Sequence, residues 1–498
     1  MILVWILVLP AAGGLAAYFA AGSNWRVARA ILAASMAAPL LLLVWLWGRH
    51  SGFSDASRGT EWIGQFTIAW IPQRGIQFAL AMDGLALLLS LLTCLVGLVV
   101  ALSLNGSHKL PGAYALLLAL LTTAMLGVFL ASDLFLFFVS YEVMLLPAYA
   151  LLIGWGHGDT RRAATRFFLF TQAGGLLMLV AILGLHVAHY QATGVQTFLY
   201  RELSNTPLSP QVSLLFLTGF ILAFAVKLPL VPFHTWQPDT YASASAETTI
   251  LFSAVMAKTA GYGLLRFAVP MFPGAAETAA PGVMALGVLT ILYASWLAYG
   301  QTDLKRIVAY SSAGHLGYIV LGAFAMNDIG TRGAIVQMVC HGLSVTGLFI
   351  AVDVIERRTG TRDIEQLGGL WKISPRFGSL ALILALATLG LPGLGNFVGE
   401  FLILTGTYQH HPLGAAIAAF GAVLAAAYSL RIVQKVFFGP PKEVTETSDS
   451  AAFPMTICAV LIAALVWIGF FPQPLLDAAR TVRADRNEAL VASAGEQQ

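Results

Sequence analysis

The sequence LLFLTGFILAFAVKLPLVPFHTW, residues 214–236, places one lysine and two prolines inside a long apolar segment. Lys227 follows a run of apolar side chains, and Pro229 and Pro232 come two and five residues after it. Insertion scales put lysine at a bilayer centre at roughly +2.5 to +3.5 kcal/mol. Proline lacks a backbone N–H and interrupts an α-helix. A charge beside a helix break at membrane depth is typical of ion sites in transporters.

The composition of the chain is that of an integral membrane protein. Of its 498 residues, 58% are hydrophobic and only 10% are charged, whereas soluble domains carry roughly 25% charged residues. The net charge of +3 does not indicate nucleic-acid binding, because the basic residues are scattered through the loops. The first apolar segment lacks a basic N-terminal region, so we expect a membrane span there and not a cleaved signal.

No pattern for a metal, nucleotide or redox cofactor occurs in the sequence. Cys94, Cys340 and Cys458 lie in apolar runs without CxxC or Cys/His spacing, which argues against iron–sulfur or zinc ligation. There is no Walker motif, and no GxGxxG follows a strand-like segment. We therefore expect the chain itself to hold no cofactor.

Apolar stretches of about 20 residues, the length that crosses a bilayer, recur along the whole chain. They predict an all-α integral membrane protein with about 14 transmembrane helices. Residues 48–80 are expected to form an interfacial loop, and a short polar tail begins at residue 474. The predicted spans are 2–21, 27–47, 82–104, 112–130, 133–155, 164–189, 212–241, 246–269, 281–299, 304–323, 330–356, 377–408, 413–438 and 452–473.

The distribution of Arg and Lys predicts the orientation, because cytoplasmic loops are enriched in these residues. With the N-terminus outside, sixteen basic residues fall on cytoplasmic connections and eight on the outer side. Lys227, Lys258 and Arg266 belong to neither group, since they lie within spans or near their ends. The bias favours an even number of spans with both termini on the outer side of the membrane.

Two broken helices indicate an internal repeat. Residues 212–241 break at LPLVP, and residues 377–408 break at LGLPGLGN. The two are five spans apart, and an odd offset makes corresponding helices run in opposite directions. We therefore predict two inverted five-helix repeats, each with a broken helix, an arrangement that places ion sites near the midplane. The predicted divisions are three N-terminal helices with the interfacial loop (1–110), the first repeat (111–275), the second repeat (276–440) and a last helix with the tail (441–498).

Glu142 and Lys227 form the first candidate pair for proton transfer. Glu142 lies about ten residues into its predicted span, hence about 15 Å deep at 1.5 Å per residue. It is either a structural carboxylate paired with a Ser, a Tyr or Asp133, or the group that sets the proton affinity of Lys227. A carboxylate beside a buried lysine favours the ammonium, and its withdrawal lets desolvation favour the neutral amine. The alternative for Lys227, extension of its ammonium to the interface, is disfavoured by its central position.

Lys258, His315 and His341 lie deep in three further spans. A lone histidine inside a membrane is often a packing residue. Two on consecutive spans, after Lys258, predict a proton relay, because imidazole titrates near neutral pH and can accept a proton on one nitrogen while releasing one from the other. Metal binding by this pair is disfavoured, since no third ligand has a suitable spacing.

Glu400 and His234 each follow one of the two breaks. Glu400 either caps the exposed N–H groups of the second half-helix or acts as the terminal proton acceptor and donor. The surrounding glycines allow irregular backbone that lines a wet cavity. His234 either joins the relay or hydrogen-bonds the carbonyls that the break frees. Asp83 and Asp303, at the starts of spans, are expected to be helix caps or interface residues.

Six segments resemble the antiporter-like subunits of respiratory complex I, and the resemblance covers essentially the whole chain. The most specific are K-x-P-x-x-P-x-H-x-W at 227–236 and QTDLKRIVAYSSAGHLGY at 301–318. Glu400, where other branches of the family have lysine, and the length of about fourteen spans resemble the M-type branch, called chain four in mitochondria. The remaining segments are HGDTRRAATRFFLFTQAGGLLML (157–179), MAKTAGYGLLRF (256–267), VCHGLS (339–344) and LPGLGNFVGEFLIL (391–404).

The resemblance implies a fourteen-helix fold with the two repeats, and it implies roles for the candidate residues. Glu142 and Lys227 would be an ion pair that opens and closes. Lys258, His315 and His341 would form the central relay, and Glu400 would exchange protons with the outer side. The family's segment after W-x-P-D contains an Ala-Pro step. Here Ser245 replaces that proline, with Glu247 nearby, which puts the start of the eighth span in doubt.

The resemblance also implies a function and partners. The function is outward proton pumping in the bacterial inner membrane, driven by quinone reduction elsewhere in an NADH–quinone oxidoreductase. The expected neighbours are L-type and N-type antiporter-like subunits, and FMN, iron–sulfur clusters and quinone belong to partner subunits. Three alternatives stay open. They are a subunit of a multi-subunit sodium/proton antiporter, a subunit of a membrane-bound hydrogenase or formate-oxidising complex, and a structural spacer that pumps nothing.

Overall fold

The structure, a computed structural model, describes residues 1–49, 62–438, 440 and 452–479. Five basic residues counted for the orientation lie outside these ranges, as does most of the predicted polar tail: Arg58, Lys442, Arg480, Arg483 and Arg486.

The described residues form a bundle of α-helices with short connections. The helices of the N-terminal half are α1 (Ile2–Ala21), α2 (Trp25–Arg49), α3 (Gly84–Ser103), α4 (Pro111–Leu130), α5 (Leu134–Val143), α6 (Leu145–Trp155), α7 (Thr160–Thr193), α8 (Tyr200–Leu203), α9 (Pro210–Lys227) and α10 (Trp236–Ser243). Those of the C-terminal half are α11 (Ala246–Leu251), α12 (Lys258–Gly263), α13 (Val269–Met271), α14 (Pro273–Gly300), α15 (Leu304–Phe324), α16 (Asp328–Thr359), α17 (Leu370–Ile373), α18 (Pro375–Thr388), α19 (Gly395–His410), α20 (Pro412–Ile432), α21 (Ala452–Phe470) and α22 (Gln473–Ala478).

In the described ranges, twelve helical segments are long and apolar enough to cross a membrane. They coincide with twelve of the fourteen stretches predicted from the sequence. The other two stretches are helical but interrupted. One consists of α11, α12 and α13 with π turns at Phe252–Met256 and Leu264–Ala268, and the other consists of α18 and α19. The total of fourteen crossings and the inverted repeat stay predictions.

A β-hairpin stands where a loop was expected. Gly64–Ile71 (β1) and Ile76–Met82 (β2) pair in antiparallel fashion. The β-branched and aromatic side chains of β1 favour extended backbone. Gly75 closes the turn with a φ of 69°, in the left-handed region that glycine adopts readily. The hairpin is the only pair of strands among the residues that the structure describes.

Asp133 joins this hairpin to the helix that carries Glu142. Its carboxylate accepts hydrogen bonds from the backbone N–H groups of Phe135 at 2.9 Å and Leu136 at 3.0 Å, at the start of α5. It accepts a third from the N–H of Gln77 in β2, at 3.0 Å. The residue is fully buried. One side chain therefore caps α5 and holds the hairpin against it.

Asp83 and Asp303, predicted as caps or interface residues, are both helix caps. Asp83 accepts from the N–H of Ala86 at 2.7 Å, and Asp303 accepts from that of Lys305 at 2.8 Å. Asp83 also lies 3.3 Å from the guanidinium of Arg266. Arg266 is 2% exposed, so this carboxylate provides the negative charge that a buried cation needs.

The first helix break lies where the two prolines predict it. Helix α9 ends at Lys227, and the chain re-enters helix at α10. Hydrogen bonds between side chains and the backbone replace part of the helical hydrogen bonds that the break removes. The indole N–H of Trp236 donates to the carbonyl of Val226 at 2.9 Å, and the N–H of Val231 donates to Oγ1 of Thr290 at 2.9 Å. Lys227 is thus the last residue of a half-helix that ends inside the protein.

The second break depends on two glycines in left-handed conformation. Gly390 and Gly393 have φ values of 75° and 96°, which other residues rarely adopt. They separate α18 from α19. A Cβ atom on Gly390 would come 2.8 Å from Oε2 of Glu400. The break therefore brings backbone close to the carboxylate five residues into α19.

The two most deeply buried spans lie at the centre of the bundle and carry the two candidate histidines. In both α15 and α16, 94% of the most apolar stretch of 18 residues is buried. Helix α16 packs against α3, α15, α18, α19 and α21. His315 and His341 are therefore surrounded by other helices and shielded from the membrane.

Replacing Asp133 by alanine should destabilise the protein. Three backbone donors would lose a buried acceptor, and such a loss typically costs about 1–3 kcal/mol. The measurement is thermal unfolding of the purified, detergent-solubilised protein. Asp159→Ala is the matched control, because Asp159 caps α7 through one exposed bond to the N–H of Arg162. Equal unfolding temperatures for the two variants would contradict the double role of Asp133.

Candidate functional site

Lys227 is buried at the first break against the face of Tyr141. Its ammonium lies 4.4 Å from the centroid of the Tyr141 ring, and the residue is 1% exposed. Among the described residues, no hydrogen-bond acceptor reaches Nζ. A cation–π contact of this kind gains strength when both groups are desolvated. The ring face of Tyr141 therefore partly compensates the positive charge of this lysine.

Glu142 lies near Lys227 without closing the predicted ion pair. The two charges interact electrostatically, but no oxygen–nitrogen contact within 4.0 Å joins them in the described structure. The carboxylate lies beside Gln172 of α7. A Cβ atom on Gly175 would come 1.7 Å from Oε1 of Glu142, so this glycine makes the space that the carboxylate occupies. In the described structure the two side chains are therefore not in ion-pair contact.

Lys258 begins α12 and is completely buried. Its Nζ donates to the backbone carbonyl of Ser253 at 2.5 Å and lies 2.7 Å from Nδ1 of His341. Ser253 belongs to the π turn that precedes α12, and π turns are frequent at functional sites. The turn thus supplies one acceptor for the ammonium, and helix α16 supplies the other.

His341 continues towards Glu400 through His315. The two imidazole rings have centroids 5.4 Å apart. Nδ1 of His315 lies 2.8 Å from Oε1 of Glu400. The same oxygen accepts from the amide of Gln337 at 2.9 Å. Glu400 is 7% exposed, so its carboxylate is held by two neighbours inside the protein.

Four of the predicted residues therefore form one line, which is Lys258, His341, His315 and Glu400 in spatial order. They come from four different helices, α12, α16, α15 and α19. The line is defined by two contacts below 3 Å and one ring-to-ring contact. Glu142 and Lys227 lie together as a second group next to Tyr141.

His234 does not join this line. Its ring meets Tyr293 edge to face, with centroids 5.5 Å apart, and lies beside the carbonyl of Pro232. In the described part of the chain, Nδ1 of His234 has no hydrogen-bond partner. The contact with Pro232 favours the alternative interpretation, in which this histidine serves the backbone at the break.

Ser245, at the position where a proline was expected, is the N-cap of α11. Its hydroxyl accepts from the N–H of Thr248 at the start of α11 and lies 2.6 Å from the hydroxyl of Tyr114. Glu247 accepts from Tyr114 at 3.3 Å and lies 3.5 Å from both His108 and Arg357. A serine at the N-cap and a carboxylate in the first turn are both favourable at a helix start. Helix α11 therefore begins regularly without the proline.

Sequence reasoning missed three contributors to the site: Tyr141, Ser253 and Gln337. Gln337 lies one helical turn before His341, and i and i+4 residues share a helix face, so this spacing was a usable signal. Tyr141 precedes Glu142, but neighbouring helix residues point in different directions and gave no hint of a contact with Lys227. The role of Ser253 depends on a π turn, which no sequence pattern indicated.

Within the part of the chain that the structure describes, no group of three or more His, Cys, Asp or Glu side chains converges as a metal site. Cys94, Cys340 and Cys458 are free and buried. The arrangement of the line is suited to another chemistry. Lysine, imidazole and carboxylate can each accept and release a proton, and neighbouring members are close enough to pass it on directly or through one water.

The chain is similar to known proteins over almost all of its length. Residues 131–425 match the family described as NADH:quinone oxidoreductase/Mrp antiporter, TM. The chain is 42% identical to NADH-quinone oxidoreductase subunit M of Escherichia coli K12 and 44% identical to that of Pseudomonas aeruginosa, with 96% of each chain covered in both cases. A chain of respiratory complex I from Thermus thermophilus with bound NADH superposes with a TM-score of 0.85 at 31% identity, over 97% of this chain and 99% of that chain.

A double-mutant cycle should reveal the coupling between His315 and Glu400. Breaking a buried pair by removing one partner typically costs about 3–5 kcal/mol, because the other group is left without compensation. We expect His315→Phe and Glu400→Gln each to lower the unfolding temperature, and the double variant to lose less than the sum. Thermal unfolding of the purified protein measures this. Additive losses would mean that the 2.8 Å contact carries no coupling.

Proposed function

This chain belongs to the family of NADH–quinone oxidoreductase subunit M, within the larger group shared with Mrp antiporters, and we propose that it uses its line of buried titratable residues to move protons across the membrane. The observation that carries the proposal is the succession of contacts from Lys258 through His341 and His315 to Glu400. The chain acts as a subunit of the translocase, and quinone reduction elsewhere in the complex supplies the energy.

The residues have distinct roles in this proposal. Lys258 is loaded with a proton from the cytoplasmic side. His341 and His315 pass the charge on, and Glu400 releases it towards the outer side. Lys227 and Glu142 act as the switch, because a positive charge near the line opposes its protonation and a nearby carboxylate favours it.

The Glu142–Lys227 pair supplies an electrostatic energy comparable to the work of moving one proton across the membrane. Moving one charge against 100 mV requires about 2.3 kcal/mol. A charge that approaches or leaves a titratable group within a few ångströms changes its pKa by about 1–3 units, at about 1.36 kcal/mol per unit. In the described structure the Lys227 ammonium lies against the face of Tyr141, without a hydrogen bond to the Glu142 carboxylate. Electrostatic switching therefore matches the work that each proton requires.

Membership of this family supports a proposal about partners and location. The chain lies among other membrane subunits, with L-type and N-type antiporter-like subunits as neighbours, in the bacterial inner membrane with both termini outside. FMN, iron–sulfur clusters and quinone belong to the partner subunits. The two inverted repeats, proposed at 111–275 and 276–440, would each contain one of the broken helices.

The antiporter alternative has less support than the complex I assignment. Relatives with identities of 42–44% over 96% of the chain are subunits of NADH–quinone oxidoreductase. Sodium-dependent transport by a complex that lacks NADH dehydrogenase subunits would favour the antiporter instead. A spacer that pumps nothing requires that all six candidate residues can be neutralised without effect, and replacement of two of them, Lys227 and Glu142, tests this.

Removal of either member of the switch should abolish pumping. We expect Lys227→Ala and Glu142→Ala to lower NADH-driven quinone reduction by at least about tenfold, the effect of a 1.4 kcal/mol change in barrier, and to remove the proton gradient in inverted membrane vesicles. Native gel electrophoresis should show that the complex still assembles. Normal coupled turnover in both variants would contradict the proposed switch.

Gly175→Ala tests the position of Glu142 without changing any charged residue. The added methyl group overlaps with Oε1 of Glu142, so the carboxylate must leave its place beside α7. We expect pumping to fall several-fold while the complex assembles. Gly282→Ala in α14 is the control, because a Cβ atom there meets nothing within 4 Å. If Gly175→Ala pumps as well as Gly282→Ala, the observed position of Glu142 is not the functional one.

A further inference from the structure

Arg266 is a buried cation that the proposed mechanism does not use. It lies eight residues after Lys258 on the same interrupted helical segment, and it is 2% exposed. At 1.5 Å per residue the two are at most about 12 Å apart along the axis. In the proposed orientation Arg266 lies between Lys258 and the outer side of the membrane. The way past Arg266 is therefore a shorter path to the outer side than the line that begins at His341.

The guanidinium of Arg266 is enclosed by one carboxylate and two aromatic rings. Its Nε atom lies 3.3 Å from Oδ2 of Asp83. Its Cζ atom lies 4.4 Å from the centroid of the Trp62 ring and 4.5 Å from that of the Tyr200 ring. Asp83 is itself 8% exposed, and its other oxygen caps α3. The positive charge is thus fixed in place and shielded from water.

Tyr262 occupies the turn between Lys258 and Arg266. Its hydroxyl donates to the backbone carbonyl of Phe129 at 2.9 Å and lies beside the guanidinium. Its ring meets those of Phe129 and Phe267 edge to face, with centroid distances of 5.3 and 5.9 Å. The residue is 1% exposed. The hydroxyl proton of this tyrosine is therefore bound by a carbonyl, and aromatic rings pack around it.

Neither side chain is suited to pass a proton on. A guanidinium keeps its protons in proteins and has no acceptor atom. Its positive charge also opposes the approach of a second one, and it does so more strongly in an apolar surrounding than in water. Tyr262 would have to break its hydrogen bond to Phe129 before it could donate elsewhere. The lysine, imidazole and carboxylate groups of the line, by contrast, can each accept and release a proton.

We propose that Arg266, held by Asp83, is an electrostatic barrier that closes the outer end of this helical segment to protons. Protons on Lys258 are thereby directed to His341, and protons from the outer side do not return to Lys258 down their gradient. Asp83 is a positioning residue, because it fixes the guanidinium, and its pairing keeps the carboxylate from accepting protons. The inference rests on the proposed function of Lys258 in proton transfer and adds what prevents backflow.

The test measures passive proton leak through the whole oxidoreductase reconstituted in liposomes. Arg266→Met combined with Asp83→Asn removes both charges at once, so no buried charge is left alone, and asparagine can still cap α3. A potassium diffusion potential, imposed with valinomycin, drives protons inwards, and a pH-sensitive dye inside the liposomes reports their entry. We expect the leak to increase by about tenfold, which corresponds to about 1.4 kcal/mol in the barrier. NADH oxidation in the presence of an uncoupler should be unchanged, because the proposed redox centres belong to partner subunits.

Arg332 and Asp328 provide the matched control. They form an Arg–Asp pair at the outer end of α16, with side chains that are 24% and 22% exposed. Arg332→Met combined with Asp328→Asn removes the same charges away from the helical segment of Lys258, so the leak should stay at the wild-type level. Asp83→Asn alone keeps the guanidinium and should also stay at that level. A wild-type leak in the variant that lacks both Arg266 and Asp83 would overturn the barrier.

Lys258→Ala separates the barrier from the proposed function. Added to the leaking variant, it should return the leak to the wild-type level, and a leak that persists would contradict the barrier, because protons would then bypass the lysine. If Lys258→Ala alone abolishes pumping while the neutral pair does not leak, the barrier is wrong and the proposed function stands. If Lys258→Ala pumps normally, the proposed function fails. Should the neutral pair not assemble, Arg266→Gln decides by the same measurement, because its amide can still bond to Asp83 but carries no charge.

Discussion

The rest of the structure depends on the difficulty of keeping charge in an apolar surrounding. An unpaired charge far from water is strongly disfavoured, so each one needs a compensating neighbour. The protein provides that neighbour in a different way at each position. Lys227 has the face of an aromatic ring, Lys258 has a carbonyl and an imidazole, and Glu400 has an imidazole and an amide. Each buried charge is thus compensated by a partner of a different chemical kind.

The irregular parts of the helices follow from the same requirement. A regular helix uses its carbonyls and N–H groups internally, so an acceptor or a space for a charge has to be created locally. The prolines after Lys227, the π turn at Ser253 and the left-handed glycines before Glu400 each do this. Gly175 does it by lacking a side chain where Glu142 lies. Each of these buried charged residues thus lies beside a departure from regular helix geometry or packing.

Much of this could be predicted from the sequence, because membrane depth leaves few explanations for a charged residue. The positions of the spans, both helix breaks and the residues of the line were all indicated by hydropathy and by isolated polar residues. The order of the contacts was not indicated. Lys258 contacts His341, and His341 in turn contacts His315, which is a result of tertiary packing and does not follow the order of the residues in the chain. The hairpin was taken for a loop, because a short interfacial segment carries little periodicity. Tyr141 was invisible as a partner, because apolar spans contain many aromatic rings.

The order of Tyr141 and Glu142 in the chain has an electrostatic consequence. The two residues are consecutive on α5, whose first turn is capped by Asp133. Consecutive residues on a helix point about 100° apart, as 3.6 residues make one turn. Lys227 therefore lies against the ring of one residue, while the carboxylate of the next lies within electrostatic reach but outside ion-pair contact.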